Sequence, residues 1–420
     1  MNAPFTMTTQ KLLPVEWPEG VCDQVPYAVF HSKEIYDLEQ EKIFRGPTWN
    51  YVGLEAEIPN PGDYKSTFVG DTPIVIARAG DGSVHAWVNR CAHRGALVCR
   101  DLRGNTQTHT CVYHQWSFDA KGDLIGVPFR RGIAGKGGYP QDFKLEEHPL
   151  QKLNVGIANG VIFASFAKNM PLVEEYLSPD ISHHLKRVFH KPVEIIGYAR
   201  QYLYGNWKFY AENTRDPYHA SLLHLFHATF GLYRSTLEGG QIISPDNRHS
   251  VLWVIHGSDT EQQASYKEEK LRTYQPETYS LQDPSLLQGR PEFEDRIGLM
   301  IYAAFPNLVI QQIANTLATR QIVVRAPGEM ELVWTYFGYK DDDPELRAYR
   351  IKQINLIGPA GLISMEDGES TEICQQATVR DGDQFSCVEM DGKTPGPSSH
   401  LVTESGIRAF WAAYRELIGL

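Results

Sequence analysis

Between Trp49 and Phe166, apolar and polar residues alternate in short runs broken by turn residues. Segments 64–70 (YKSTFVG), 73–79 (PIVIARA) and 83–89 (SVHAWVN) each read as a strand, and 116–126 (WSFDAKGDLIG) reads as strand, turn, strand. Such runs predict a small antiparallel β-domain. After Pro171 the spacing of apolar positions lengthens toward that of a helix: 173–189 carries an amphipathic helical pattern and 206–216 a second helix. Strands return over 300–326 and 331–340, and helices over 344–356 and 403–418 close the chain. The expected fold class is α+β, a small antiparallel β-domain followed by a larger domain whose antiparallel sheet is covered by helices. Residues 1–44 are expected to form an N-terminal segment packing on the larger domain, 45–168 the β-domain and 169–420 the larger domain. No internal repeat, low-complexity tract or flexible linker is evident.

The chain has 420 residues, 42% of them hydrophobic, enough to fill a sizeable core. The first 20 residues lack a charged segment followed by an apolar one, and no apolar run approaches the 18 or so residues of a membrane span. A cytoplasmic protein without membrane contact is the expectation. The net charge of −11, with no basic stripe, argues against nucleic acid as a partner. Six cysteines do not form a disulfide-framework pattern. Cys22, Cys374 and Cys387 read as ordinary thiols and Cys99 as a small buried hydrophobe.

The remaining two cysteines are paired with histidines. Cys91-x-His93 and Cys111-x-x-His114 lie 17 residues apart, each where a strand gives way to a loop. Zinc modules more often pair Cys with Cys and His with His. Two loops that each supply one thiolate and one imidazole suit a cluster of two unlike irons, as in Rieske [2Fe–2S] centres. Further on, residues 206–227 carry Glu212, Asp216, His219, His224 and His227. Asp216 and His219 are a helical turn apart, Pro217 disturbs that turn, and His219 and His224, five apart, need a bend to reach one ion. Two neutral imidazoles with one carboxylate and open positions make the facial triad of non-haem Fe(II) oxygenases. His227 is assigned no role.

The segments CAHRGA and CVYHQWSFDAKGDLIG resemble the Rieske domain of aromatic-ring-hydroxylating oxygenases, and residues 206–224 match that family's pattern Asn-Trp-Lys, Glu-Asn-x-x-Asp-x-Tyr-His, then His. The resemblance covers nearly the whole chain and implies a helix-grip-like catalytic domain, a [2Fe–2S] cluster held by Cys91, His93, Cys111 and His114, and a mononuclear Fe(II) held by His219 and His224. It implies further that Trp116 covers the cluster and that Asp216, supported by Glu212, bridges His114 of a neighbouring subunit to His219. The carboxylate ligand it implies is Asp367, five before Glu372, with the adjacent Glu366 as the alternative. GVPFRRG and GPAGLISMEDGE look most like the members acting on aromatic carboxylates: salicylate hydroxylases, anthranilate and 2-halobenzoate dioxygenases and terephthalate dioxygenase. The implied activity is hydroxylation or dihydroxylation with O₂, anthranilate or salicylate being preferred.

A carboxylate in an apolar pocket needs a fixed cation. Alternation along 310–324, read as one strand, places Arg320 and Gln312 on a common face, where Arg320 either anchors substrate or pairs with an internal acid. Arg408, the other arginine considered, reads as a surface residue. No Gly-x-Gly-x-x-Gly follows a strand. Electrons are therefore expected from separate proteins, by resemblance a ferredoxin and an NAD(P)H-dependent flavin reductase. The resemblance also implies an assembly that is either a homotrimer or an α3β3 complex with a small subunit. An electron carrier without oxygenase chemistry is the competing class, and it has no use for the downstream histidines.

Overall fold

The computed structural model describes residues 15–257 and 280–420. A seven-stranded antiparallel sheet forms the β-domain, its strands ordered Asn50–Leu54, Val161–Ser165, Lys152–Ala158, Val84–Val88, Thr72–Arg78, Asp63–Val69 and Arg103–Asn105. A second sheet of three short strands, His109–Thr110, Ser117–Phe118 and Leu124–Gly126, lies beside it. Both Cys/His pairs sit in loops at strand exits, one after Val88 and one between the first two short strands.

The larger domain is built on a second seven-stranded antiparallel sheet, ordered Val193–Leu203, Glu329–Tyr339, Thr316–Ala326, Leu308–Ile313, Ile297–Ala304, Ser250–Ile255 and Gly239–Ile243. Its central strands are buried on both faces: Thr316 through Val324 are buried without interruption, the polar Thr316, Thr319, Arg320 and Gln321 included. Ala318, Ile322, Trp334 and Tyr336 face one core. Leu317, Ile310, Met300 and Phe337 face another, which they share with Trp49, Tyr51 and Phe163 of the β-domain. The two domains are stitched together by buried hydrogen bonds: Tyr51 to Thr319 (2.8 Å), Thr67 to Gln321 (2.8 Å), and the Tyr51 N–H to Asn307 (2.8 Å). No linker is needed because the boundary is itself core. No helix among the described residues is long and apolar enough to cross a membrane.

Residues 1–14 of the N-terminal segment lie outside the described residues. The segment's helix Lys33–Glu39 is capped by the Ser32 hydroxyl, which accepts from the Ile35 N–H, and it ends at the fully buried Glu39. Glu39 accepts hydrogen bonds from Lys208 (2.6 Å), Trp207 (2.8 Å) and Tyr414 (2.5 Å). Burial pulls the Lys208 ammonium down, and Glu39 opposes this. Losing one partner of such a pair leaves a bare charge inside, so the contact ties the segment firmly to helix Trp207–Asn213.

Three expectations are corrected. Segment 173–189 is two helices, Val173–Leu177 and Pro179–Val188, because Pro179 disfavours the helical region at Ser178, which sits between them at φ 70° and ψ 157°. Segment 310–324 is not one strand but a hairpin that turns at Ala314 (φ 49°) and Asn315 between strands Leu308–Ile313 and Thr316–Ala326. Arg408 is fully buried, its guanidinium donating to the carbonyls of Val388, Met390, Asp391 and Thr394, so it braces that loop from helix Ser405–Ile418.

Candidate functional site

The two Cys/His loops have matching backbones. The Cys91 carbonyl accepts from the Gly95 N–H and the Cys111 carbonyl from the Gln115 N–H, and both donors sit at positive φ (77° and 56°). Each loop thus turns tightly over its own cysteine. Cys91 and Cys111 are buried with their thiols in contact, whereas His93 is exposed and His114 partly so. The imidazole rings meet edge to face, 4.6 Å between centroids. Two buried sulfur donors inside two outward-facing nitrogen donors fit a [2Fe–2S] cluster with its histidine-held iron toward solvent. Trp116, 4% exposed, stacks on His93 at 4.9 Å and donates to the Tyr139 hydroxyl. Cys99 is buried as expected but not merely apolar, since its sulfur lies 3.1 Å from His109 Nδ1. Burial pushes the His109 imidazole down to about 4.

The second constellation converges through a broken helix. Trp207–Asn213 ends before Pro217, a short helix Ala220–Leu223 begins after His219, and His224 is extended (φ −89°, ψ 92°) before helix Leu225–Phe230. That kink supplies the bend the five-residue spacing demands. Asp367 comes from helix Leu362–Thr378. Gly368, beside it, lets this helix lie against strand Val193–Leu203, for a Cβ there would sit 2.8 Å from Gln201 Nε2 and 2.9 Å from Leu203 Cδ2.

Among the described residues, His219, His224 and Asp367 form the one group whose donor atoms lie within 4.8 Å of one another. Asp367 Oδ1 is 3.4 Å from His219 Nε2 and 3.2 Å from His224 Nε2. The opposite nitrogens meet two other carboxylates. His224 Nδ1 is 2.7 Å from Glu366, while His219 Nδ1 is 3.2 Å from Asp216, a contact short of full hydrogen-bond alignment. Glu366 therefore stands behind His224, on the side away from Asp367, and of the two adjacent acids it is Asp367 that faces both Nε2 atoms. Carboxylates behind the ligating imidazoles fix ring orientation and raise basicity. Burial alone would lower His219, yet Asp216 and Asp367 carry it up to about 10. Such a field favours a cation, and two imidazoles with one carboxylate suit Fe(II). Asn213 donates to Asp367 (2.9 Å) and lies 3.3 Å from His219 Nε2.

Asp216 also accepts from the backbone N–H groups of Tyr218 and His219. Glu212 accepts from Trp411 Nε1 (2.5 Å), and burial, aided by Asp216, pushes its carboxyl up to about 8. No hydrogen bond, ion pair or ring contact among the described residues links His93 or His114 to this group.

The pocket beside the triad has an apolar wall of Leu252, Leu299, Ile301 and Ile313, and Arg320 reaches into it. Arg320 is 4% exposed. It donates to Tyr210 Oη (2.8 Å) and Gln311 Oε1 and lies over the Trp334 ring at 4.3 Å, while its Nε–H has no partner. No acidic side chain among the described residues pairs with it. Gln312 does not join it: the turn at Ala314 sends Gln312 to the opposite face, where it accepts from Arg187 (2.7 Å). Gln311 takes that place, which a hairpin reading of 310–324 would have found. His227, assigned no role, lines the pocket as well.

Comparison with known proteins places both domains in known families. Residues 48–137 match the Rieske [2Fe-2S] domain and residues 182–419 the catalytic domain of the ring-hydroxylating alpha subunit. The chain is 52% identical to the anthranilate 1,2-dioxygenase large subunit of Burkholderia cepacia, covering 96% of each chain. It is 44% identical to a terephthalate 1,2-dioxygenase terminal oxygenase alpha subunit of Comamonas sp., covering 96% of this chain and 98% of the relative. It is 40% identical to the large oxygenase component of salicylate 5-hydroxylase of Ralstonia sp., covering 98% and 99%. The naphthalene 1,2-dioxygenase structure from Rhodococcus sp. shares the fold with a TM-score of 0.77 at 23% identity, covering 94% of each chain. A cluster-binding β-domain fused to a domain that gathers two histidines and an aspartate around one point is how such enzymes bring electrons and oxygen to a ring, and this chain belongs to the Rieske ring-hydroxylating oxygenases, as an alpha subunit.

Proposed function

We propose that this alpha subunit oxygenates an aromatic carboxylate, an ortho-substituted benzoate of the anthranilate or salicylate kind. The observation that carries the reading is Arg320, a buried guanidinium without an acidic partner among the described residues, opening into the pocket of His219, His224 and Asp367. A buried charge is stable only when it is paired, and a substrate carboxylate completes this one. Leu252, Leu299, Ile301 and Ile313 flank the aromatic ring and exclude water from it. Arg320 is the one arginine or lysine lining the pocket among the described residues, which favours a single carboxylate over terephthalate.

When bound, the two iron centres supply one-electron transfer and O₂ activation. The protein's own part is positioning. Arg320 fixes the carboxylate end, the apolar wall turns the ring toward the triad, and Asp216 and Glu366 hold the two imidazoles. Asp216, with Glu212 beside it, accepts the bridge from His114 of a neighbouring copy. The outward-facing His93 and His114, without contact to the triad of their own chain, support transfer between subunits of a trimer or an α3β3 assembly. A ferredoxin and an NAD(P)H-dependent flavin reductase deliver the electrons.

The test is product identification by chromatography with donor proteins present, for anthranilate, salicylate, 2-chlorobenzoate, terephthalate and naphthalene side by side. Turnover of the ortho-substituted benzoates and not of naphthalene is expected. Naphthalene consumed faster than every carboxylate would overturn the reading.

A further inference from the structure

His227 lies on the helix Leu225–Phe230, is 3% exposed, and among the described residues neither ring nitrogen makes a hydrogen bond of good geometry, although the Ala220 backbone lies near one of them. Its ring stands 5.1 Å from that of His224, edge to face, and lines the pocket that Arg320 enters. It does not belong to the converging group of donors, which among the described residues contains His219, His224 and Asp367. Native structures leave few buried polar atoms unpaired, because each forfeits its hydrogen bonds to water. An imidazole left short of partners inside a binding pocket points to a ligand that completes it. An imidazole presents both a donor and an acceptor, and the matching group is an amine or hydroxyl rather than a halogen or a ring edge.

The position decides which part of the substrate is met. The ring carbon that reacts must face His219, His224 and Asp367, and Arg320 holds the carboxylate. A side chain packed against His224 then meets the substituent on the carbon next to the one bearing the carboxylate. We infer that His227 is a specificity-determining residue that hydrogen-bonds an amino or hydroxyl group ortho to the substrate carboxylate. This rests on the aromatic-carboxylate reading above and extends it to the second polar group of the substrate.

The experiment compares wild type, His227→Leu and His227→Gln as the iron-loaded oxygenase. Dissociation constants by calorimetry and kcat/KM with donor proteins are measured for anthranilate, salicylate, benzoate and 2-chlorobenzoate. Losing the hydrogen bond in His227→Leu should weaken anthranilate and salicylate by about 10- to 100-fold. Benzoate and 2-chlorobenzoate should change by less than about threefold, and His227→Gln, which keeps a donor and an acceptor, should recover most of the loss. An equal loss on all four acids, no loss on any, or depletion of mononuclear iron in both variants would overturn the inference. Wild-type enzyme that binds none of the four overturns the carboxylate reading itself. Wild-type turnover with an indifferent His227→Leu sinks only the role of His227.

Discussion

Replacing Arg320 by Leu separates a substrate anchor from a structural cation, because the two roles predict opposite effects on stability and binding. In the free pocket the guanidinium has two neutral acceptors, Tyr210 Oη and Gln311 Oε1, the Trp334 face, and no carboxylate among the described residues. Removing it forfeits about 1 kcal/mol for each hydrogen bond and up to about 2 kcal/mol for the ring contact. It also relieves a desolvation penalty of several kcal/mol for a charge without a counter-ion. These terms nearly cancel, so Arg320→Leu should unfold within about 2 kcal/mol of wild type. Binding behaves differently, since truncating one side of a buried charged pair costs about 2–5 kcal/mol. That is a loss in benzoate affinity of about 30- to 4,000-fold. Thermal unfolding and calorimetric titration with anthranilate, on the same iron-loaded preparations, measure the two quantities. A variant that is destabilised by several kcal/mol yet binds anthranilate with wild-type affinity would refute the anchor and leave Arg320 a scaffold residue.

Three further outcomes follow from the geometry. His114→Ala should abolish the Rieske EPR and visible spectrum, because the outer iron loses half its protein ligands, while His219→Ala and Asp367→Ala should keep that spectrum and lose mononuclear iron and turnover; loss of the cluster in the latter pair would mean that the two sites are one. Asp216→Asn should retain both metals and normal cluster reduction but lower product formation by at least about 100-fold, the upper end for a residue orienting a metal ligand, and near wild-type turnover would remove the bridge. For Glu212, pushed up to about 8 in the folded chain, the folded state keeps a proton that the unfolded chain releases above about 4.3, so stability falls as pH rises from about 5 to 8, by at most about 1.4 kcal/mol per unit. Glu212→Gln should flatten that slope, gaining over wild type as pH increases, and parallel melting curves between pH 5.5 and 7.5 would contradict the assignment.

The cluster loops were legible without coordinates because metal ligation is a local constraint: Cys91-x-His93 and Cys111-x-x-His114 each place a thiolate and an imidazole on one tight turn, whatever surrounds them. His219 and His224 were legible for a related reason, since Pro217 announces the backbone break that their spacing requires. The domain order was readable from the change of period near Pro171, though Pro179 breaks the first helical stretch beyond it. Tertiary structure decided what depends on which way a side chain faces. Asp367 and Glu366 are adjacent acids on one helix, and only the packing of that helix against strand Val193–Leu203 turns the first toward both Nε2 atoms and the second behind His224. Period-two alternation holds within a strand but not across a turn, so the Ala314–Asn315 hairpin exchanged Gln312 for Gln311 beside Arg320. Arg408 was misjudged because a helical pattern ranks residues by polarity, whereas burial depends on partners brought from elsewhere, here four carbonyls, and the pocket wall that His227 lines exists only once the sheet and the helices have closed around it.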